Sequence, residues 1–230
     1  MSKALFVTGT GTDTGKTYIT GLIVKKLQEA KKNPAYYKAA MSGNDRRPDG
    51  TLIPGDALAV QTMSGIDQSL TSMCPYVYEH AYSPHLASRL EGNPVVMDVV
   101  THGFADVTAV YDYVTVEGSG GILCPICFDE ARIQLEDVVK ELHLSSILIA
   151  DAGLGTINSV VLTAEYMKTH GLPLKGIIFN HYHPGDVMED DNIFMCEHMT
   201  GLPTLAKVQD GDTKLDMNVD ALCALYDEVK

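Results

Sequence analysis

Short apolar runs recur along the chain, with enough residues between them for a helix. The runs that predict buried strands are residues 4–7, 35–37, 113–116, 146–150, 176–179 and 203–206. The segment after the first run places Ile19, Leu22 and Leu27 on one face of a helix, since residues three or four apart share a face. Strands alternate with helices, so we predict one α/β domain with a parallel sheet and helices on both faces.

Helix boundaries are predicted from proline, glycine and acidic residues. One helix begins near Pro84, residues 94–109 form one helix or two around Gly103, and another helix ends near residue 170. The acids at 189–191 would cap and charge the helix that follows them. Apolar spacing over residues 217–229 predicts a closing amphipathic helix.

Residues 9–17 lie between the first strand and the first helix and read Gly-Thr-Gly-Thr-Asp-Thr-Gly-Lys-Thr. A glycine-rich turn in this place binds phosphate through backbone N–H groups and the positive end of the helix. Lys16 would reach the β- and γ-phosphates, and Thr17 would ligate Mg²⁺. Five residues rather than the usual four separate Gly9 from Gly15. The predicted sheet is therefore of the P-loop NTPase type; the alternative is an ordinary strand-to-helix turn.

Other polar residues stand at the ends of the predicted strands. Lys38, Glu117, Asp151 and Asn180 each follow or end one of the apolar runs. Ligands bind at the carboxyl ends of parallel strands, so these residues should lie beside the phosphate loop. Either of the two acids, Glu117 or Asp151, could hold Mg²⁺ or its waters. The Asn180 amide suits the edge of a base, because it offers a donor and an acceptor together.

A second lysine changes the predicted chemistry. Lys16, Lys38 and an acid for the metal form a centre for phosphoryl transfer. A neutral hydroxyl acceptor would need a base, whereas a second positive charge suits an acceptor that is itself anionic. The alternative for Lys38 is a solvated surface position. Asp56, which opens an apolar stretch, is either a helix N-cap or a residue that holds the metal or its water.

The composition of the chain limits the classes of binding partner that are expected. The 230 residues carry a formal net charge of −13, and basic residues are adjacent only in pairs, at 25–26, 31–32 and 46–47. Nucleic acid and anionic membranes require a basic surface, so neither is an expected partner. No apolar segment approaches the length of a membrane span and no signal pattern is present, which predicts a soluble, cytoplasmic protein.

Several cysteine, histidine and tyrosine residues have more than one interpretation. Five cysteines, an odd number, fit a reducing compartment. Cys124 and Cys127 form a CxxC pair without a second pair to complete a zinc site, so buried apolar thiols are expected. His181 and His183 are expected on a loop or at the surface. The tyrosines within residues 74–86 could pack in the core or line a small-molecule pocket.

The chain resembles the dethiobiotin synthetase family over most of its length. The resemblance rests on Phe-Val-Thr-Gly-Thr before Gly-Lys-Thr, Tyr-Lys with Ser-Gly, Asp-Ala-Leu, Ser-Pro-His-Leu-Ala-Ser, Val-Glu-Gly-Ser-Gly-Gly and Leu-Gly-Thr-Ile-Asn, followed by Asn180. These segments span residues 6–17, 37–43, 56–58, 83–88, 116–121 and 154–158. Together, in order and with family-like spacing, they are specific, and they include the extra residue in the phosphate loop.

The resemblance implies a reaction and its cofactors. The family joins 7,8-diaminononanoate, CO₂ and ATP to make dethiobiotin, ADP and phosphate, with Mg²⁺. One amine takes up CO₂ as a carbamate, whose oxygen attacks the γ-phosphate. The other amine then closes the cyclic urea on the mixed anhydride. The carbamate is the anionic acceptor that the second lysine suggested.

The resemblance also implies roles for residues. Lys38 would steady the carbamate and the transferring phosphoryl group, and Lys16 would bind the β- and γ-phosphates. Thr12 and Ser42 would hydrogen-bond the reacting groups. Thr17, Asp56 and Glu117 would place Mg²⁺ directly or through water, which favours Glu117 over Asp151. The implied nucleotide-binding residues are Asp13, Thr14, Gly15, Lys16, Thr17, Tyr18, Asp56, Glu117, Gly118, Ser119, Gly120, Asn180 and His181, with Asn180 reading adenine.

By the same resemblance the protein is expected to be a homodimer with its substrate near the interface. The carboxylate tail of the substrate would meet the N-terminus of a helix of the partner subunit. The residues implied there are Gly155, Thr156, Ile157 and Asn158. Many members read Gly-Thr-Asp-Thr-Glu-Val-Gly-Lys-Thr in the loop, where this chain has Gly11, Asp13 and Thr14 at the differing positions. The stretch after Val208 matches the family least clearly.

Two other P-loop classes compete with this interpretation. A ParA/MinD-like ATPase switch usually has a lysine near the start of the loop, where this chain has Thr10 and Gly11, and often carries a membrane- or DNA-binding element. A cobyrinate-type amidoligase shares the loop but has a glutaminase partner, for which no nucleophile in a recognisable setting is found in this sequence.

Overall fold

The computed structural model describes residues 1–229, which form alternating strands and helices. The strands are β1 (Lys3–Gly9), β2 (Pro34–Tyr37), β3 (Ala40–Met41), β4 (Tyr76–Val77), β5 (Tyr113–Gly121), β6 (Pro125–Phe128), β7 (Arg132–Gln134), β8 (Ser146–Asp151), β9 (Leu174–Asn180), β10 (Thr204–Lys207) and β11 (Asp227–Glu228). The helices are α1 (Lys16–Glu29), α2 (Gly55–Ser64), α3 (Leu70–Met73), α4 (Pro84–Leu90), α5 (Met97–Thr108), α6 (Leu135–Glu141), α7 (Thr156–Thr169), α8 (Val187–Thr200) and α9 (Val219–Cys223).

The main sheet has the strand order β10-β9-β8-β1-β5-β2, and each of these neighbouring pairs is parallel. Side chains alternate between its faces along each strand. On β1, Phe6 packs with apolar residues of α5 and α6, whereas Leu5 and Val7 pack with α1. The predicted α/β fold with helices on both faces of a parallel sheet is confirmed.

The predicted closing helix over residues 217–229 is wrong. Asn218 caps the short helix α9, and the chain then turns at Tyr226 into β11, which pairs antiparallel with β1. The pairing has a physical cause, because β1 begins before β8: Lys3 and Ala4 pair with β11, and β8 first pairs at Phe6. The last strand therefore covers backbone that β8 leaves unpaired.

The N-cap alternative for Asp56 and the cap expected from the acids at 189–191 are not found. Pro54 occupies the N-cap of α2, and Asp56 lies in the first turn with its carboxylate free for another partner. The N-cap of α8 is Asp186, whose side chain accepts from the N–H groups of Met188 and Glu189. Residues 189–190 do place negative charge in the first turn, as predicted, where the helix dipole favours it.

Two local features were not resolved by the sequence pattern. Residues 97–108 form one continuous helix through Gly103, where an added Cβ would lie 2.8 Å from the Tyr37 hydroxyl oxygen. Residues 125–134 form the antiparallel hairpin β6–β7 beside the main sheet.

Within residues 1–229, no helix is both long enough and apolar enough to cross a membrane.

Candidate active site

The loop between β1 and α1 presents the N-terminus of a helix to the carboxyl end of the sheet. Gly15 sits at the N-cap of α1 with φ 82°, in the left-handed region that glycine adopts without penalty. No side chain caps this helix. Its first N–H groups have no carbonyl partner within the helix, so they are available to an anion such as phosphate.

The Lys16 side chain lies along the same loop. Its ammonium group donates a hydrogen bond to the Gly11 carbonyl oxygen at 2.7 Å, and the residue is buried. Burial, and then the positive charge of Lys38, lower the pKa of Lys16 from its ordinary value. Gly9 leaves room for the loop, since a Cβ there would lie 2.6 Å from the Thr14 hydroxyl oxygen.

Lys38 comes directly after β2, and two carboxylates hold its ammonium group. Nζ lies 2.6 Å from Asp56 Oδ2 and 2.7 Å from Glu117 Oε1. Lys38 and Glu117 are buried and Asp56 is partly exposed. The surface-lysine alternative is therefore excluded.

The pKa values of this cluster follow from burial and pairing. Burial acts against the charge of Lys38, but Glu117 and Asp56 outweigh it and raise the pKa of Lys38 above its ordinary range. Burial acts against the charge of Asp56 as well, and Lys38 outweighs it and lowers the pKa of Asp56. Both groups are therefore held in their charged forms.

Thr17 and Glu117 provide oxygen atoms beside these charges. The Thr17 hydroxyl donates to Glu117 Oε1 at 2.8 Å. The second carboxylate oxygen, Glu117 Oε2, is buried and has no hydrogen-bond partner among residues 1–229. A hydroxyl, the Asp56 carboxylate and an unpaired carboxylate oxygen are hard donors of the kind that Mg²⁺ prefers. The residues present thus fit a magnesium ion.

These residues line a cavity of about 650 Å³. Most of the residues expected at the site are in its wall: Thr12, Asp13, Gly15, Lys16, Thr17, Tyr18, Lys38, Ser42, Asp56, Glu117, Ser119 and Gly120. The structure therefore gathers residues from four separate segments of the chain at one edge of the sheet. A volume of this order suits small-molecule ligands.

The rest of the cavity wall comes from residues to which the sequence analysis assigned no definite binding role. These are Met41, Gly43, Ala81, Tyr82, Ser83, Pro84 and Cys124. Tyr82 belongs to the tyrosine-rich segment for which packing and pocket roles were both open, and it lies in the pocket. Cys124 was expected in the core, but it follows the strand that carries Glu117 by only a few residues, and this proximity was the available signal.

Hydrogen bonds fix the small hydroxyl residues of the wall. Ser42 Oγ donates to the Tyr82 carbonyl oxygen at 2.6 Å, which ties the loop after β2 to the segment before α4. Ser119 Oγ donates to the Ala40 carbonyl oxygen at 2.8 Å.

Burial raises the pKa of the Cys124 thiol, so it is a weak nucleophile in this position.

Some expected nucleotide-binding residues lie outside the cavity wall. Thr14 and Gly118 are buried behind it, and a Cβ on Gly118 would meet Leu135 and Phe6 of the core. Asn180 and His181 stand next to the phosphate loop: the Asn180 amide nitrogen lies 3.3 Å from the Thr14 carbonyl oxygen.

Two further groups of residues do not reach the cavity of their own chain. Asp151 accepts from the Gly153 N–H at 2.6 Å and bonds His181 Nδ1 at 2.8 Å, so its carboxylate is engaged away from Thr17. Residues 155–158 start α7 and do not line the cavity.

Comparisons with known proteins place this chain in a family. A model described as an AAA domain matches residues 3–213. The ATP-dependent dethiobiotin synthetase of Brachyspira hyodysenteriae is 47% identical over 224 residues, which cover 96% of this chain and 99% of that protein. The enzyme of the same name from Clostridium perfringens is 43% identical and covers 95% of this chain and 96% of its own length. This chain belongs to the ATP-dependent dethiobiotin synthetases. The expected family and enzyme class, an ATP-dependent ligase, are confirmed.

Solved structures outside the dethiobiotin synthetases share the fold. A chain of the MinC:MinD cell division protein complex of Aquifex aeolicus has a TM-score of 0.57 at 11% identity, and the match covers 96% of this chain and 85% of that chain. The septum site-determining protein MinD of Pyrococcus horikoshii, complexed with Mg-ADP, has a TM-score of 0.53 at 14% identity over 91% of this chain and 82% of its own. At these identities the likeness concerns the P-loop fold alone.

Proposed function

We propose that this protein closes the ureido ring of dethiobiotin from 7,8-diaminononanoate and CO₂, with ATP as the phosphoryl donor and Mg²⁺ as its metal. The observation that carries the proposal is the convergence of Lys16 and Lys38, from separate turns, on one cavity that also holds Glu117. Two positive charges suit the transfer of a phosphoryl group to an anionic acceptor, and a substrate carbamate is such an acceptor.

The nucleotide and the metal have residues suited to hold them. The uncapped amides at the start of α1 and the Lys16 ammonium would bind the phosphates of ATP. Thr17, Asp56 and Glu117 would hold Mg²⁺ directly or through water. When bound, the ion would neutralise negative charge on the phosphates of the nucleotide.

Lys38 is proposed to act on the acceptor side of the reaction. Its raised pKa keeps the ammonium charged, so it can bind a carbamate oxygen and a phosphoryl oxygen as charge builds up between them. The carbamate oxygen forms a bond to the γ-phosphorus and ADP leaves. The second amine then attacks the carbamoyl carbon, the ring closes, and phosphate leaves with the oxygen that came from CO₂.

Thr12 and Ser42 are proposed to orient the reacting groups. Both lie in the cavity wall, and the hydrogen bond from Ser42 to the Tyr82 carbonyl holds that hydroxyl in place. Met41, Ala81 and Pro84 add apolar surface to the same wall, which suits the aliphatic chain of diaminononanoate.

A homodimer is part of the proposal. Residues 155–158 do not line the cavity of their own chain, as is required if they serve the neighbouring one. Apolar side chains are exposed on and beside α7 and α8: Leu154 is 90% exposed, Leu162 63% and Phe194 60%. Burying such side chains against a second copy would remove apolar surface from water.

We also propose a cytoplasmic location, where five free thiols remain reduced.

The product assay tests this function. Purified protein is given diaminononanoate, labelled bicarbonate, ATP and Mg²⁺, and the product is identified by mass. Dethiobiotin carrying the label, with one ADP formed per product, is expected. ATP hydrolysis whose rate does not depend on diaminononanoate, and which DNA or lipid stimulates, would instead identify a MinD-like switch.

A further inference from the structure

His181 bonds the residue that is expected to read the base, although it does not touch the cavity itself. The Asn180 amide nitrogen lies 3.2 Å from His181 Nε2, and on the other side of the ring Nδ1 lies 2.8 Å from Asp151 Oδ2. A carboxylate, an imidazole and an amide thus form a chain that ends at the Thr14 carbonyl of the phosphate loop.

The direction of each hydrogen bond in this chain can be assigned. The Thr14 carbonyl only accepts, so the Asn180 NH₂ group faces it. The Asp151 carboxylate accepts from His181 Nδ1–H, and the free lone pair on Nε2 therefore accepts the second Asn180 N–H. A second carboxylate, Asp210 Oδ1, is 3.7 Å from Nε2, which is beyond hydrogen-bond distance.

This arrangement leaves one atom of Asn180 without a partner. Both amide hydrogens are used by Thr14 and His181, and Oδ1 accepts no hydrogen bond from the part of the chain that the structure describes. The residue is almost entirely buried, at 2% exposure, and its amide rests on Gly15 of the phosphate loop. Oδ1 is not among the fully enclosed oxygens that lack a partner, so it keeps some accessible surface through which a donor on a ligand can reach it.

We propose that His181 is a positioning residue that turns the Asn180 carbonyl oxygen towards the nucleotide base. Oδ1 then selects a base with an exocyclic amine, as in adenine, over a base with a carbonyl at the same position, as in hypoxanthine. The inference rests on the proposed binding of ATP at the phosphate loop, and it assigns His181 an indirect role in place of a direct contact with the nucleotide.

Asp151→Asn tests the chain without removing the histidine. The Gly153 N–H only donates, so the oxygen of the new amide stays with it and the amide nitrogen faces His181 Nδ1. Nδ1 must then accept, and the ring proton moves to Nε2, where it meets the Asn180 NH₂ group. The Asn180 amide loses its fixed orientation, while the histidine and its backbone stay in place.

The readout is the affinity for MgADP and MgIDP by titration calorimetry, which does not depend on ligase turnover. The unaltered protein should bind ADP about tenfold more tightly than IDP, and Asp151→Asn should reduce that ratio to below about threefold. His181→Asn should have the same effect, since Asn tolerates the φ of 52° found at residue 181 but cannot reach Asn180 as Nε2 does.

Asp210→Asn is the matched control, because it makes the same change of charge on the other side of the imidazole. It should keep the ADP to IDP ratio of the unaltered protein. Equal ratios in the unaltered protein, Asp151→Asn and Asp210→Asn would overturn the proposal. Selective ADP binding without any dethiobiotin formation would sustain this inference and refute the proposed function, so the two can fail separately.

Discussion

The ammonium of Lys38 faces two carboxylates, and only one of them is fully buried. Glu117 has no exposed side-chain surface, whereas the Asp56 side chain is 39% exposed. The buried pair is the more sensitive one, because a charge without a partner is costly where water cannot reach it. The sequence predicted Lys38 and Glu117 at strand ends; Lys38 does follow β2, but β5 continues past Glu117 to Gly121. The sequence could not predict the contact between Lys38 and Asp56, which depends on the path of the irregular loop between β3 and α2.

Substitution of each lysine separates their roles. Lys38→Ala should lower kcat at least about 100-fold and change the ADP affinity less than about threefold, because Lys38 acts on the acceptor. Lys16→Ala should weaken nucleotide binding at least about tenfold as well, because Lys16 contacts the phosphates. Steady-state kinetics and calorimetry measure both, with Lys38→Arg as a charge-preserving control. Equal, mild effects of the two alanine variants would show that the roles are wrongly divided.

The pairing of Asp56 predicts a pH dependence of stability. Its lowered pKa means that the paired carboxylate stabilises the fold above its ordinary pKa of 3.8, and that this contribution is lost as the pH falls through the lower, folded value. The raised pKa of Lys38 means that its contribution is complete below 10.5 and is lost only at more alkaline pH. Thermal unfolding of the unaltered protein and Asp56→Asn from pH 2 to 8 measures the difference.

The melting temperatures of these two proteins should differ most at neutral pH and converge in acid. Other carboxylates titrate over the same range, but their effect is common to both proteins and cancels in the difference. A difference that stays constant with pH would show that Asp56 is not paired with Lys38 in solution.

At the scale of elements, the apolar pattern and the turn residues predicted the central strands and the phosphate loop, but not the structure near the end of the chain. The six parallel strands and the phosphate loop follow from local apolar runs and from glycine, whose conformational needs are local. Strand β11 could not be found in this way. It forms because β1 starts before β8, and Tyr226 is fixed there by a 2.7 Å hydrogen bond between its hydroxyl and that of Thr115. The earlier start of β1 and the bond between Tyr226 and Thr115 both arise only when the sheet is assembled, so a local sequence pattern does not contain them.

The start of α1 gives a prediction with an internal control. Gly15 and Gly50 have similar φ angles of 82° and 87°, but an added Cβ would lie 2.1 Å from Asn180 Nδ2 at Gly15 and meets nothing within 4 Å at Gly50. Gly50→Ala should therefore cost only the backbone penalty of about 1–2 kcal/mol. Gly15→Ala should cost more and should also weaken ADP binding, because the amide of Asn180 must move.

Chemical unfolding and ADP titration of both variants measure these effects. The same loss of stability at the two positions, with ADP binding unchanged by Gly15→Ala, would show that the contact between the loop and Asn180 has no consequence. A larger effect at Gly15 supports the close packing on which base recognition is proposed to depend.

At the scale of the molecule, a strongly acidic protein is proposed to bind anionic ligands. The net charge of −13 opposes ATP and a substrate carboxylate at long range. The cavity offsets this locally with Lys16, Lys38 and the N-terminus of α1, and a dimer would add the N-terminus of the partner's α7. Composition correctly argued for an acidic surface, but it could not reveal this concentration of positive potential, which depends on how the turns meet.

Subunit complementation tests the shared site. Asn158→Glu should weaken binding of the substrate carboxylate by repulsion, with Asn158→Gln as the uncharged control. An equal mixture of inactive Lys38→Ala and Asn158→Glu subunits, allowed to exchange, should regain about a quarter of full activity, since half the dimers are mixed and each has one intact site. No regained activity in a mixture shown to exchange would mean that each chain builds its own site.

The most direct test of the account follows one oxygen atom. Attack of the carbamate oxygen on the γ-phosphorus predicts that ¹⁸O supplied in bicarbonate, in unlabelled water, appears in the phosphate released with dethiobiotin. The reaction is run with ATP, Mg²⁺ and diaminononanoate and stopped before bicarbonate exchanges its oxygen with water, and phosphate is analysed by mass. One ¹⁸O per phosphate is expected from fully labelled bicarbonate. Unlabelled phosphate, formed alongside labelled dethiobiotin, would contradict phosphoryl transfer to the carbamate.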